Sequence, residues 1–204
     1  MQIELQAVGR RFNREWIFRN VNYTFAGGSH TVLTGGNGSG KSTLLQVIAG
    51  NLLPSEGKVQ RQNTDEANVY RHLSMAAPYL ELMEEFTLAE SIAFQQKFKP
   101  WRAQLSNAEV LNLSGLSHAA HKAIRHYSSG MKQRARLTLA ILADTPLLLL
   151  DEPCANLDQA AMQWYAQLVT AHIEGRTVIV CSNRQQAEHF FCTAELSVEQ
   201  FKTV

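Results

Sequence analysis

Gly35-Gly36-Asn37-Gly38-Ser39-Gly40-Lys41-Ser42-Thr43 follows the apolar run Thr31-Val32-Leu33 and opens the helix-compatible run Leu44-Leu45-Gln46-Val47-Ile48-Ala49. Strand, glycine-rich loop, helix is the context in which the spacing G-x-x-x-x-G-K-[ST] reads as a phosphate cradle. The glycines let the backbone take positive φ and wrap closely around a polyphosphate, so that successive N–H groups point inward as an anion nest. The helix that starts there adds unpaired N–H groups and the positive end of its dipole. Lys41 is expected to reach the outer phosphates as a point charge, and the Ser42 hydroxyl to ligate Mg²⁺.

Around this loop, 204 residues with 45% hydrophobic side chains are enough for a sizeable core and fit one domain better than two. A net charge of +1, with both signs interspersed, offers no broad basic field, so nucleic acid is not expected as a partner. Cys154, Cys181 and Cys192 sit in apolar contexts and are odd in number. They read as reduced, buried thiols rather than a disulfide framework. The charged N-terminus does not read as a secretion signal, and the apolar runs Leu137 to Ala143 and Leu147 to Leu150 are split by Asp144 and Pro146. The expectation is a cytoplasmic chain that reaches a membrane only through a partner.

Ile3, Leu5 and Ala7 alternate with polar residues, as do Val21, Tyr23 and Phe25, which predicts two half-buried antiparallel strands. Lys58 to Arg61 and Val69 to Ala76 read as further strands. From residue 79 to 128 the pattern turns helical, with Leu88, Ile92 and Ala93 assigned to one face and breaks at Pro100 and Gly115. This predicts a helical insertion, with a docking groove or a small core of its own as the alternatives. A long helix starting at Ser129, the four consecutive leucines Leu147 to Leu150, a helix from Gln159 to Ile173 and the run Thr177 to Cys181 then alternate. That order predicts a doubly wound, mostly parallel sheet carrying its ligand at the carboxyl ends of the strands.

Asp151-Glu152 comes directly after the four leucines, on the same sheet edge as the phosphate loop. An Asp there can hold Mg²⁺, and a Glu beside it can orient and deprotonate an attacking water. With this second site the chain resembles the nucleotide-binding subunit of ATP-binding cassette (ABC) proteins. Tyr127-Ser128-Ser129-Gly130-Met131-Lys132-Gln133-Arg134 looks like the family's signature motif, and Ala155-Asn156-Leu157-Asp158 resembles its D-loop. Phe12 stands where the family places an aromatic platform for adenine.

The resemblance implies an α/β P-loop ATPase of ABC type over residues 1–204, with an N-terminal antiparallel β subdomain and a helical subdomain at about 79–128. It implies ATP and Mg²⁺ as ligands, with Ser42 and Asp151 on the metal and Lys41 and Glu152 catalytic. Ser128, Ser129 and Gly130 are then expected to act in trans, closing on ATP held by the loop of a second copy or of a related subunit. A transmembrane permease is the implied partner, placing the chain on the cytoplasmic face of the cell membrane.

Two positions depart from the family. Met75-Ala76-Ala77-Pro78-Tyr79 carries no Gln where one normally contacts Mg²⁺ and water, and Asn183 stands where His normally contacts the γ-phosphate. Asn donates a hydrogen bond but carries neither proton nor positive charge. Slow hydrolysis with ATP binding retained is the expectation, with Arg184 or water as possible stand-ins. A nucleotide-gated regulatory module and a soluble cassette acting on ribosomes or DNA are the competing readings.

Overall fold

The computed structural model describes residues 1–64, 67–183 and 185–202. Strand β1 (Ile3–Phe12) pairs antiparallel with β2 (Glu15–Phe25). β3 (His30–Thr34) runs through the glycine loop into α1 (Lys41–Ala49), which stops on Gly50 in the left-handed conformation. β4 (Glu56–Arg61) joins the free edge of β1 to complete a three-stranded antiparallel sheet, order β2-β1-β4. α2 (Val69–His72), β5 (Leu73–Ala76), α3 (Leu88–Gln96), α4 (Asn107–Ser114) and α5 (Ser129–Leu142) follow. β6 (Leu147–Asp151), α6 (Gln159–His172), β7 (Thr177–Cys181), α7 (Gln186–His189) and β8 (Ala194–Ser197) come last, before a 3₁₀ turn at Val198–Phe201.

The second sheet has five strands in the order β5-β6-β7-β3-β8, every neighbouring pair parallel. Strand alternation divides the interior in two. Leu148, Leu150, Val178 and Val180 face the core that contains α5, α6 and the helices of the insertion. Leu147, Leu149, Ile179, Cys181 and Leu33 face α1 and the antiparallel sheet. Both faces are covered, which is why β6 and β7 read as unbroken apolar runs.

Two expectations need correction, and one strand is new. Val69 to Ala76 is not one strand: Val69–His72 winds a single helical turn, burying Val69 against Gly50 while Tyr70 stays exposed, and only Leu73–Ala76 pairs. Ala93 does not share the buried face of Leu88 and Ile92; it is exposed, and Ser91 is buried instead. Five residues of α-helix rotate a side chain by about 140° net, which takes Ala93 off the buried stripe. β8 was not anticipated, since its four residues bury only Leu196 and give too short an alternation to read. The helical insertion is present, and α3 and α4 each start with a full capping box, Thr87 with Glu90 and Ser106 with Glu109.

Arg176 joins the parts behind the sheet without any carboxylate. It is 1% exposed and donates to the carbonyls of Thr145 (2.8 Å) and Ile141 (2.7 Å) and to the hydroxyls of Ser74 (2.9 Å) and Thr145 (2.7 Å). These bonds tie the end of α5 to β5 and to the lead into β6. Arg176→Ala is expected to cost about 3 kcal/mol in urea denaturation, because it leaves several buried acceptors unpaired. Arg176→Lys should recover little, since one ammonium cannot reproduce the guanidinium fork; a loss below about 1 kcal/mol for the Ala variant would show that those acceptors find other donors.

Candidate active site

Leu33 pairs with Cys181, and Cys181 with Asp151, so β3, β7 and β6 end in line. Whatever follows these strands emerges together: the glycine loop after β3, Glu152 after β6, Ser182 and Asn183 after β7. The chemistry of the site is set by this register.

The loop keeps the shape its glycines permit. Gly40 has φ 95°, and a Cβ there would lie 2.7 Å from Ile17. Gly35 has φ 145°, and a Cβ there would lie 2.5 Å from the Ser39 hydroxyl. Lys41, 6% exposed, donates from Nζ to the carbonyls of Gly35 (2.7 Å) and Gly36 (3.1 Å). Its ammonium is thus held over the loop, within it rather than in solvent. Gly38 and Asn37 form the exposed crest, and Thr43 lies in the first turn of α1. The N–H of Gly36 donates to the Glu199 carboxylate at 2.6 Å, a buttress from the C-terminal 3₁₀ turn that no sequence motif announced.

Asp151 is 2% exposed, and neither of its carboxylate oxygens has a hydrogen-bond partner among the described residues. The Ser42 and Tyr79 hydroxyls and the Lys41 ammonium lie near enough to favour its ionised form, though none meets strict hydrogen-bond geometry. Burial holds its carboxyl above the ordinary aspartate range. A desolvated carboxylate with both oxygens free beside a serine hydroxyl suits a hard divalent cation, which takes oxygen ligands.

Glu152 lies at the mouth of this site with φ 45°, a left-handed conformation uncommon for a side-chain-bearing residue. Its N–H donates to Cys181 O at 3.0 Å. Asn183 Nδ2 donates to Glu152 Oε1 at 2.7 Å. The Asn at the departing position therefore aims the glutamate directly, as an uncharged donor. Where the stretch Met75–Tyr79 carries no Gln, the Tyr79 hydroxyl lies beside Asp151, and Gln46 of α1 lies against that hydroxyl. Burial first, and the Asp151 charge second, keep the Tyr79 hydroxyl protonated. Arg184, offered as a stand-in, lies outside the described residues.

Two expected groups sit apart from this centre. Ser128 N-caps α5, its Oγ accepting from Met131 N–H at 3.2 Å. With Ser129 and Gly130 it lines a concavity shared with Asn156 and Asp158 that contains no residue of the phosphate loop. One chain does not bring the two motifs together. Phe12 is 46% exposed at the end of β1, with the Arg10 guanidinium 4.5 Å from its ring centroid. The rest of that ring is open to a planar ligand.

The ABC transporter family model matches residues 18–155. Over 192 residues the chain is 32% identical to the cytochrome c biogenesis ATP-binding export protein CcmA of Rhizobium meliloti, covering 91% of this chain and 92% of that protein. The protein of the same name from Rhizobium johnstonii is 33% identical over 198 residues, covering 91% and 89%. Among solved structures, a putative ABC transporter ATP-binding protein from Pyrococcus furiosus superposes with TM-score 0.82 over 100% of both chains at 16% identity. A dimeric bacterial ABC transporter cassette superposes with TM-score 0.81 over 97% of this chain and 95% of that one at 23% identity. At those identities the structures speak for the fold, and the fold is the one the sequence resemblance implied. By the reach of the family model and the identity of these relatives, the chain belongs to the ABC transporter family as one of its nucleotide-binding ATPase subunits.

Proposed function

We propose that the chain powers an exporter in cytochrome c biogenesis, hydrolysing ATP in a closed pair of cassettes docked on a membrane-embedded partner. The observation that carries the chemistry is the convergence of the glycine loop, the donor-free Asp151 and the Glu152–Asn183 pair at one sheet edge. Identity of 32–33% over 91% of the chain to export proteins named for that process carries the assignment to a pathway.

In this reading the loop amides of residues 35 to 43 grip the triphosphate while Lys41 turns from the Gly35 and Gly36 carbonyls to the outer phosphates. Phe12 stacks on the base. Ser42 and Asp151 would hold Mg²⁺, which when bound would supply positive charge to neutralise the phosphate oxygens. Glu152 takes the proton of the attacking water, and Asn183 keeps its carboxylate aimed. Ser128, Ser129 and Gly130 of a second cassette complete the pocket around the γ-phosphate. Dimer closure then depends on the γ-phosphate as the contact that distinguishes ATP from ADP.

The partner surface is proposed on the helical insertion. Phe86, Phe94 and Phe98 stack edge to face at 5.9 and 5.1 Å, and Phe98 is 67% exposed. Gln95 of α3 and Lys99, neighbours in sequence of Phe94 and Phe98, help line a groove with Leu80, Glu81, Arg136 and Leu139. No helix among the described residues is long and apolar enough to cross a membrane, and in this reading a partner subunit spans it. An exposed aromatic ladder beside a mixed-charge groove suits a short amphipathic helix of such a subunit.

Glu152→Gln should lower hydrolysis by about a hundredfold or more while ATP-dependent dimers accumulate in size-exclusion chromatography. Unchanged turnover would remove Glu152 as the base. Asn183→His should raise turnover by about tenfold by restoring a group able to carry charge at the γ-phosphate; a variant no faster than wild type would contradict the reading that Asn183 limits the rate. In the native host, Glu152→Gln on the chromosome should deplete mature c-type cytochromes, and normal levels would point instead to another cargo.

A further inference from the structure

We propose that Glu188 is a positioning residue for hydrolysis: by clamping Ser182 to Cys154 it fixes the Glu152–Asn183 pair from behind. This rests on the reading of Glu152 as the residue that activates water. Glu188 belongs to α7, is 3% exposed, and directs its carboxylate to Ser182 and Cys154 rather than to the phosphate loop.

Its two carboxyl oxygens serve two different segments. Oε2 accepts from the Ser182 hydroxyl at 2.5 Å, and Oε1 accepts from the Cys154 N–H at 3.2 Å. The Tyr165 hydroxyl of α6 donates to the Glu188 carbonyl at 2.8 Å and anchors the clamp to the core. Ser182 immediately precedes Asn183, which holds the Glu152 side chain at 2.7 Å. Cys154 follows Glu152 by two residues. Glu188, Ser182, Asn183, Glu152, Pro153 and Cys154 thus form a closed ring of covalent and hydrogen bonds around the end of β6.

A carboxyl buried without a cation is costly, and packing alone would be served better by an apolar side chain. Burial raises the Glu188 carboxyl above the ordinary glutamate range, with Glu152 and Asp151 adding to the effect. What the group does supply is a two-point acceptor. It spans the two segments whose relative placement decides where the Glu152 carboxylate points. The left-handed backbone of Glu152, φ 45°, is a conformation that persists only when its surroundings over-determine it. A small misplacement of a base costs rate far more than it costs ground-state binding.

The test uses the purified full chain, with ATP affinity from calorimetry and hydrolysis from single-turnover measurements. Glu188→Ala should slow hydrolysis by about tenfold or more while ATP affinity stays within about twofold. Glu188→Gln, able to accept from Cys154 and donate to Ser182, should recover most of that loss. Ser182→Ala, a milder change should Glu188→Ala not fold, should slow hydrolysis in the wild-type background and add nothing once Asn183 is already Ala. Wild-type hydrolysis in both Glu188→Ala and Ser182→Ala, affinity and rate falling in proportion, or full additivity of Ser182→Ala with Asn183→Ala would each overturn the proposal. Glu152→Gln run alongside separates the two claims: if it hydrolyses normally, the base assignment fails; if it is inert while Glu188→Ala is normal, only the clamp fails.

Discussion

The pairing of Leu33 and Asp151 with the same residue, Cys181, is the constraint on which the site depends. In a parallel sheet every strand leaves at the same edge, so register alone decides which following residues meet. A slip by one residue in β6 would turn Asp151 to the opposite face and carry Glu152 away from Asn183. The register is protected by burial on both faces: each of Leu147 to Leu150 and Val178 to Val180 is fully buried, packed alternately into two separate cores. The sheet is therefore rigid where the chemistry needs alignment.

The centre itself is left incomplete in a specific way. Among the described residues, neither Asp151 oxygen nor Ser39 Oγ, all buried, has a partner of strict hydrogen-bond geometry, and Lys41 places its ammonium on two loop carbonyls. Buried polar groups are normally satisfied, so such a cluster marks a place that a ligand completes. In the proposed reading a magnesium–nucleotide complex would supply the opposite charges: a cation for Asp151, phosphate for Lys41 and the amides. The signature turn at Ser128 to Gly130 is just as incomplete in a single chain, since its concavity lacks phosphate-loop residues. In the proposed reading both deficits would be met at once by two cassettes enclosing nucleotide, which would link chemistry to assembly.

Much of this was legible in the sequence because it rests on local rules. The glycine spacing, the leucine run ending in Asp151-Glu152 and the serine cap of α5 each declare themselves within ten residues or so of chain. The contacts that were not legible join residues distant in sequence: Glu199 on Gly36 across 163 positions, Arg176 on Ser74 across 102, Glu188 on Cys154 across 34. No periodicity signals a buried Glu or Arg that serves as a strut. Val69–His72 escaped for a related reason, since one helical turn and a short strand share the same β-branched and aromatic residue types, and the packing of Val69 against Gly50 decides between them.

The most direct measurement is titration calorimetry of ATP into the purified chain, with magnesium and with magnesium removed by chelation, on wild type and on Asp151→Asn. If the donor-free carboxylate is the cation's seat, wild type should bind ATP much more tightly with magnesium than without, and Asp151→Asn should lose that difference while remaining folded. Equal affinity in both conditions, or a magnesium effect undiminished in Asp151→Asn, would contradict it.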